Sequence, residues 1–280
     1  MAFRADLEAL NADLAQYLND IRNLRHLAFG RTHYHEFRQS QTVRDLVSRS
    51  TSTLQTLQFS GSGFTMVDGK PLFTPAKNNS EANLGSLDSL HISSTSVNPE
   101  GAKAMLEVVD FTKLSEMELH HVGGAVSNLF RPLEEAFNKA SASRSGIKLQ
   151  KLAMNADFAH RHPEEHHGES EAVVENARFG FLSSFSELKW LEISNYGMHP
   201  QPDREPTIGM PDLVINAILK HSGLKTLKFT NWTGTANPIT YLSTANLDSL
   251  ITGLPELEHF HFYPYEWRMV GQRISNSCNL

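Results

Sequence analysis

A short motif recurs along the chain: an apolar residue, two of any kind, an apolar residue, one of any kind, an apolar residue. It occurs as Leu24/Leu27/Phe29, Leu54/Leu57/Phe59, Leu87/Leu90/Ile92 and Leu114/Met117/Leu119. It continues as Leu149/Leu152/Met154, Leu188/Leu191/Ile193, Leu224/Leu227/Phe229 and Leu257/Phe260/Phe262. The last two members are two residues apart, the spacing that returns a strand's side chains to one face, so each motif predicts a strand with one buried face. The first positions step by 30, 33, 27, 35, 39, 36 and 33 residues, which predicts one strand per structural repeat. One such motif means little, whereas eight in series specify an array.

Helical spacing precedes most of the strands. Val43, Leu46 and Val47 come before the second, and Ala104, Leu106, Val108 and Val109 before the fourth. Phe130, Leu133 and Phe137 precede the fifth; Leu213, Val214, Ala217 and Ile218 the seventh; Leu247, Leu250, Ile251 and Leu254 the eighth. At the N-terminus, Phe3, Leu7, Leu10, Leu14, Leu18 and Ile21 predict an amphipathic helix within 1–22. A strand–helix unit has two apolar faces and cannot close a core alone, but stacked units bury a continuous one. The expected fold is therefore α/β: a β/α solenoid with a curved parallel sheet on its concave face and helices on its convex face. A single domain spans 1–280, with repeats over 23–263 and a C-terminal tail or cap over 264–280.

The motif and its spacing resemble the leucine-rich repeat, and most of all the irregular, long-repeat arrays of fungal F-box proteins. The resemblance runs from about residue 20 to 263. Regular leucine-rich repeats place Asn or Cys eight residues after the first Leu, to satisfy backbone groups of the turn. Here those positions hold Thr32, Ser62, Thr95, Val122, Asp157, Tyr196, Trp232 and Tyr265, so there is no asparagine ladder. No F-box is recognisable, since that motif would be a compact helical segment with a Leu-Pro-x-Glu-like start. The resemblance implies a substrate-binding region that bridges a target to a ubiquitin ligase, with an adaptor as second partner if an F-box lies upstream.

In such a strand the residues between the buried apolar positions face the concave surface. Here they are His26/Ala28/Gly30, Thr56/Gln58/Ser60, Ser89/His91/Ser93, Glu116/Glu118/His120, Lys151/Ala153/Asn155, Trp190/Glu192/Ser194, Thr226/Lys228/Thr230 and His259/His261/Tyr263. The set is almost wholly polar, and a register shift of one would bury it and expose the leucines. Candidate partner-binding residues are Glu116, Glu118, His120, Trp190, Glu192, Lys228, His259, His261 and Tyr263. Trp190 is either a binding anchor or a residue covered by its neighbours. Three long connections, 60–86, 155–172 and 195–212, follow strands and project from one edge. The first two are expected to be disordered, and Pro200, Pro202, Pro206 and Pro211 exclude regular structure from the third.

Charge and composition narrow the function. With 25 Lys plus Arg against 31 Asp plus Glu, the net charge of −6 argues against a general nucleic-acid binder. No apolar run approaches the roughly 18 residues of a membrane span. Acidic residues Asp6, Glu8, Asp13 and Asp20 interrupt any signal peptide, so the cytoplasm or nucleus is expected and Asn78 and Asn231 are not glycosylation sites. Cys278 is the single cysteine, which excludes an intramolecular disulfide and any zinc site built from several cysteines.

Catalytic chemistry finds little support. His160, His162, Glu164, Glu165, His166 and His167 are the densest group of metal-ligand types, but they sit in a polar loop with no rigid surroundings to orient them. His35-Glu36 lacks the second histidine of a zinc-protease helix, and Gly61-Ser62-Gly63 matches neither a nucleophile elbow nor a phosphate loop. Glu116 and Glu118 sit ~7 Å apart along one strand, a separation at which carboxylates can hydrolyse glycosides. The expectation is a non-enzymatic protein-recognition module without cofactor or metal, binding neither nucleic acid nor membrane. A free leucine-rich scaffold is the alternative, and a metal- or carboxylate-dependent hydrolase is a third reading from another class.

Overall fold

A computed structural model describes residues 2–6, 20–30, 40–60, 66–67, 70–71, 84–97, 99–124, 127–143, 146–155, 170–194, 210–230 and 242–262. Its centre is one nine-stranded parallel sheet. The strands are β1 (Ala2–Asp6), β2 (His26–Gly30), β3 (Thr56–Ser60), β6 (Ser89–Val97), β7 (Glu116–Gly124), β8 (Lys151–Asn155), β9 (Trp190–Ser194), β10 (Thr226–Thr230) and β11 (His259–His261). They lie side by side in sequence order. The remaining two, β4 (Met66–Val67) and β5 (Lys70–Pro71), form a separate antiparallel pair. All eight motifs are strands, in the expected register: Leu27, Leu57, Leu90, Met117, Leu152, Leu191, Leu227 and Phe260 align across the sheet.

Helices return the chain in most connections between parallel neighbours; among the described residues none lies between β1 and β2 or between β3 and β6. The helices are α1 (Ser40–Arg49), α2 (Pro99–Val108), α3 (Ser127–Ala142), α4 (Glu171–Ser183), α5 (Asp212–Leu219) and α6 (Thr244–Gly253). Strands laid down in sequence order and joined by crossovers of one hand, the general rule for β–α–β units, place the helices on one face of the sheet. From α2 to α6 each helix packs against the next. Between helices and sheet, the motif residues are buried wherever their side chains are described, apart from the half-buried Leu257 and Phe262 of the last repeat. An aromatic cluster joins the middle helices. Phe137 meets Phe181 edge to face at 5.1 Å between centroids, and Phe185 at 4.8 Å.

Successive repeats are joined by a recurring backbone fork. The carbonyl of Arg25 accepts from both Gln55 N–H and Thr56 N–H, at 2.8 and 2.9 Å. The same arrangement recurs at the carbonyls of Gln55, Asp88, Ser115, Gln150, Lys189 and Lys225, each holding the first residues of the next strand. One carbonyl per repeat, at the same place in each, fixes how each unit enters the sheet. Since the fork itself is made by backbone N–H groups, the sequence there is free to vary.

Two expectations need correction, and one helix lies where none was expected or excluded. Ala2–Asp6 forms a strand, not part of a helix. It pairs with β2, placing Phe3 opposite Leu27 and Ala5 opposite Phe29, and supplies the ladder hydrogen bonds β2 would otherwise lack on that side. Residues 7–19 lie outside the described residues. Within 60–86, order is present where disorder is expected: β4 and β5 pair, and Leu84 is buried with its N–H on the Val108 carbonyl at 3.0 Å. Finally, the stretch before the sixth motif carries a helix the spacing did not announce, α4. Val174, Ala177, Phe179, Phe181 and Leu182 are all buried, so its apolar residues spread around the helix and blur the amphipathic stripe.

Candidate functional site

On the sheet face away from the leucines, the strands set their alternate residues side by side. Register places Lys151 of β8 opposite Glu116 of β7, and His91 of β6 opposite Glu118. The four side chains form one network. Lys151 Nζ donates to Glu116 Oε1 and, at 2.9 Å, to Glu118 Oε1. The other Glu118 oxygen accepts from His91 Nδ1 at 2.7 Å, and His91 Nε2 is 2.6 Å from Ser89 Oγ.

The charges follow from this geometry. The His91 hydrogen bond is the largest influence on Glu118; with Lys151 it outweighs partial burial and holds the carboxyl down to about 2. Burial works against the Lys151 ammonium, but its bonds to Glu116 and Glu118 prevail and raise it. A glycosidase general acid needs the opposite, a carboxyl raised toward neutrality.

Trp190 of β9 is half-buried between cations. Lys151 Nζ is 4.9 Å from its ring centroid and Lys228 Nζ, from β10, 5.2 Å. Ammonium groups at these distances are attracted by the ring's quadrupole. Next to it, Glu192 accepts from Thr230 Oγ1 at 2.8 Å. His120 of β7 reaches Ser194 of β9, with Nδ1 3.3 Å from the hydroxyl, whose own hydrogen goes to the Met154 carbonyl. Burial pushes the His120 imidazole below its ordinary value, against the upward pull of Glu118 and Glu192.

The candidate residues thus fall into groups. Glu116 and Glu118 are joined through Lys151, Lys151 in turn adjoins Trp190, and Trp190 adjoins Lys228. Glu192 and His120 make separate bonds nearby. His259 and His261 stand exposed on β11, which has β10 on one side. Tyr263 and the His160–His167 cluster lie outside the described residues.

Three positions assigned to the open face are buried instead: Ser89 is 7%, Ser194 1% and Ala153 0% exposed. Ala153 sits in register between Glu118 and Glu192, and a methyl group is covered by its longer neighbours. His91 and Lys151 belong to the network but were not singled out as site residues. The signal for them is the aligned motif itself, which puts a cationic and an imidazole side chain directly across from the two glutamates.

No protein-family model and no curated protein matches the chain. Among the described residues no helix is long and apolar enough to cross a membrane.

Proposed function

We propose that the chain is a leucine-rich-repeat-like β/α solenoid acting as a non-enzymatic protein-recognition module: the substrate-binding region of an F-box-like ubiquitin ligase subunit. The observation that carries this reading is the cluster of Lys151, Trp190 and Lys228 on three adjacent strands, an aromatic ring in mid-sheet with an ammonium group beside it from each flanking strand. Tryptophan on a rigid face is among the side chains most enriched at interface hot spots, and the two lysines beside it add charge that can select a partner. The sequence-ordered parallel sheet, with helices on its other face, supports the solenoid part. Glu116 opposite Lys151 and Glu192 opposite Lys228 on the same face favour a partner of mixed charge.

The test is affinity purification of the tagged chain from its own cells with cross-linking, compared with a Trp190→Ala/Lys228→Glu variant that keeps its melting temperature. A partner cross-linked to β7–β10 in the parent and lost in the variant, together with a ubiquitin ligase adaptor, supports the proposal. The same partner without adaptor favours the free scaffold. A partner retained by the variant places recognition elsewhere and overturns the assignment of this face.

A further inference from the structure

The geometry points to a divalent-cation site on the same face, independent of the recognition reading: we propose that His91, Glu116 and Glu118 bind a zinc-class ion, displacing the Lys151 ammonium. The set is mixed, one imidazole nitrogen and two carboxylate oxygens, on the adjacent strands β6 and β7. One ligand atom from each lies within 4.8 Å of the others. Tetrahedral bonds of roughly 2.0–2.2 Å put ligand atoms about 3.4 Å apart, so modest side-chain rotation closes the set. All three are partly shielded, with side chains 21%, 26% and 23% exposed.

Two further features fit a cation. Ser89, which is buried, lies on Nε2 of His91, the nitrogen 4.0 Å from the Glu116 carboxylate. When Nε2–H donates to Ser89 Oγ, the Nδ1 lone pair is aimed toward Glu118, the kind of outer support that orients a metal-binding histidine. Lys151 already places a positive charge against both carboxylates. A metal-bound imidazole must be neutral, so in the ion-binding state the two carboxylates carry −2, which a doubly charged ion balances and a single ammonium does not. The lysine has somewhere to go: its Nζ is already 4.9 Å from the Trp190 ring. Three protein ligands leave a fourth position open to water or to a donor from a bound partner.

The test is isothermal titration of the full chain, stripped with a chelator, with Zn2+ alone. Comparison is with Glu116→Gln/Glu118→Gln and with Lys151→Met. The parent is expected to bind one ion that the double variant holds at least about tenfold more weakly, the loss seen even when only the outer support of a metal ligand is removed. Lys151→Met is expected to tighten binding at least about fivefold, the effect of one unit charge at ~4 Å even in water. That gain cannot come from misfolding, so it decides the matter if the double variant does not fold. Parent binding unaltered in both variants would assign the zinc to other histidines and overturn the proposal, as would no stoichiometric binding by the parent.

Discussion

The ammonium of Lys151 on β8 lies 2.9 Å from the Glu118 carboxylate on β7 and also bonds Glu116, so one cation serves two acidic residues of the neighbouring strand. Removing it leaves two like charges on one face. The pair is partly open to water, and such pairs contribute modestly. Lys151→Ala is expected to lower stability by about 1 kcal/mol in low salt, with the loss shrinking in 1 M NaCl as the repulsion is screened. Urea denaturation at both ionic strengths reads this directly, and an unchanged midpoint at low salt would show that the network adds nothing. Acid should undo the same contacts. Glu118 is held at about 2 when folded against an ordinary 4.5, so its stabilisation is complete above 4.5 and is lost as pH falls toward 2.

His221 governs a higher pH range. It is fully buried, with Nε2–H donating to the Leu182 carbonyl at 3.0 Å and Nδ1 accepting the Leu188 N–H at 3.4 Å. Burial pushes its imidazole down to about 4 from an ordinary 6.5, and the Leu182 bond only partly opposes this. Between those values the unfolded chain binds more protons than the folded one. The contribution is therefore complete above 6.5 and falls away as pH drops toward 4, by on the order of 3 kcal/mol. His120, also depressed by burial, adds a slope of the same sign. Unfolding free energy measured from pH 7 to 4.5 should decline steeply in the parent and less steeply in His221→Gln. Equal slopes would remove His221 as the cause.

How much of this was legible in the sequence depended on whether a position repeats. Leu27, Leu57 and Leu90 recur at one place in each unit, and repetition made them readable although no single motif was convincing. The network at Lys151 was half-legible: its members were on the expected face, but reading it required laying one repeat beside the next, so that Glu116 met Lys151 and Glu118 met His91. His221 was not legible, because the residue type that fills its role changes from one repeat to another. The first repeat does the same work with Ser50, whose hydroxyl accepts the Leu24 N–H at 3.2 Å. A serine and a histidine answering one backbone need leave no common letter. Strand β1 was missed because Phe3 and Leu7 fit a helix, whereas the pairing that decides the matter is with β2, some twenty residues on.

Asn246 joins two helix starts and should be sensitive to substitution. Its Oδ1 accepts the Ser243 N–H at 3.2 Å while Ser243 Oγ accepts the Asn246 N–H at 3.1 Å, the reciprocal cap of α6. The same Oδ1 accepts the Met210 N–H at 2.8 Å, just ahead of α5. Asn246→Ala is expected to cost about 1–2 kcal/mol, since it also strands a buried N–H. Asn246→Asp keeps the acceptor for both N–H groups and should cost less. Chemical denaturation of the two variants checks the order, and a larger loss for the aspartate would show that burying its charge outweighs the retained bonds.

The register itself can be tested by comparing two leucines. Leu191 lies in β9, flanked by β8 and β10 and fully buried, so truncation to alanine leaves a cavity that neighbours on both sides hold open. That substitution is expected to cost ~2–5 kcal/mol. Leu257 occupies the first motif position of the last repeat and is only half-buried, so Leu257→Ala removes less apolar area from contact and should cost about 1 kcal/mol or less. The adjacent Glu192 provides the control for facing. Truncated to alanine it gives up the Thr230 hydrogen bond at a half-exposed site, and the change should fall near that of Leu257. Were the strand shifted by one residue, Glu192 would take the place of Leu191 in the core and the order of Leu191→Ala and Glu192→Ala would reverse. Urea midpoints of the three variants therefore read which side chains of β9 face the helices.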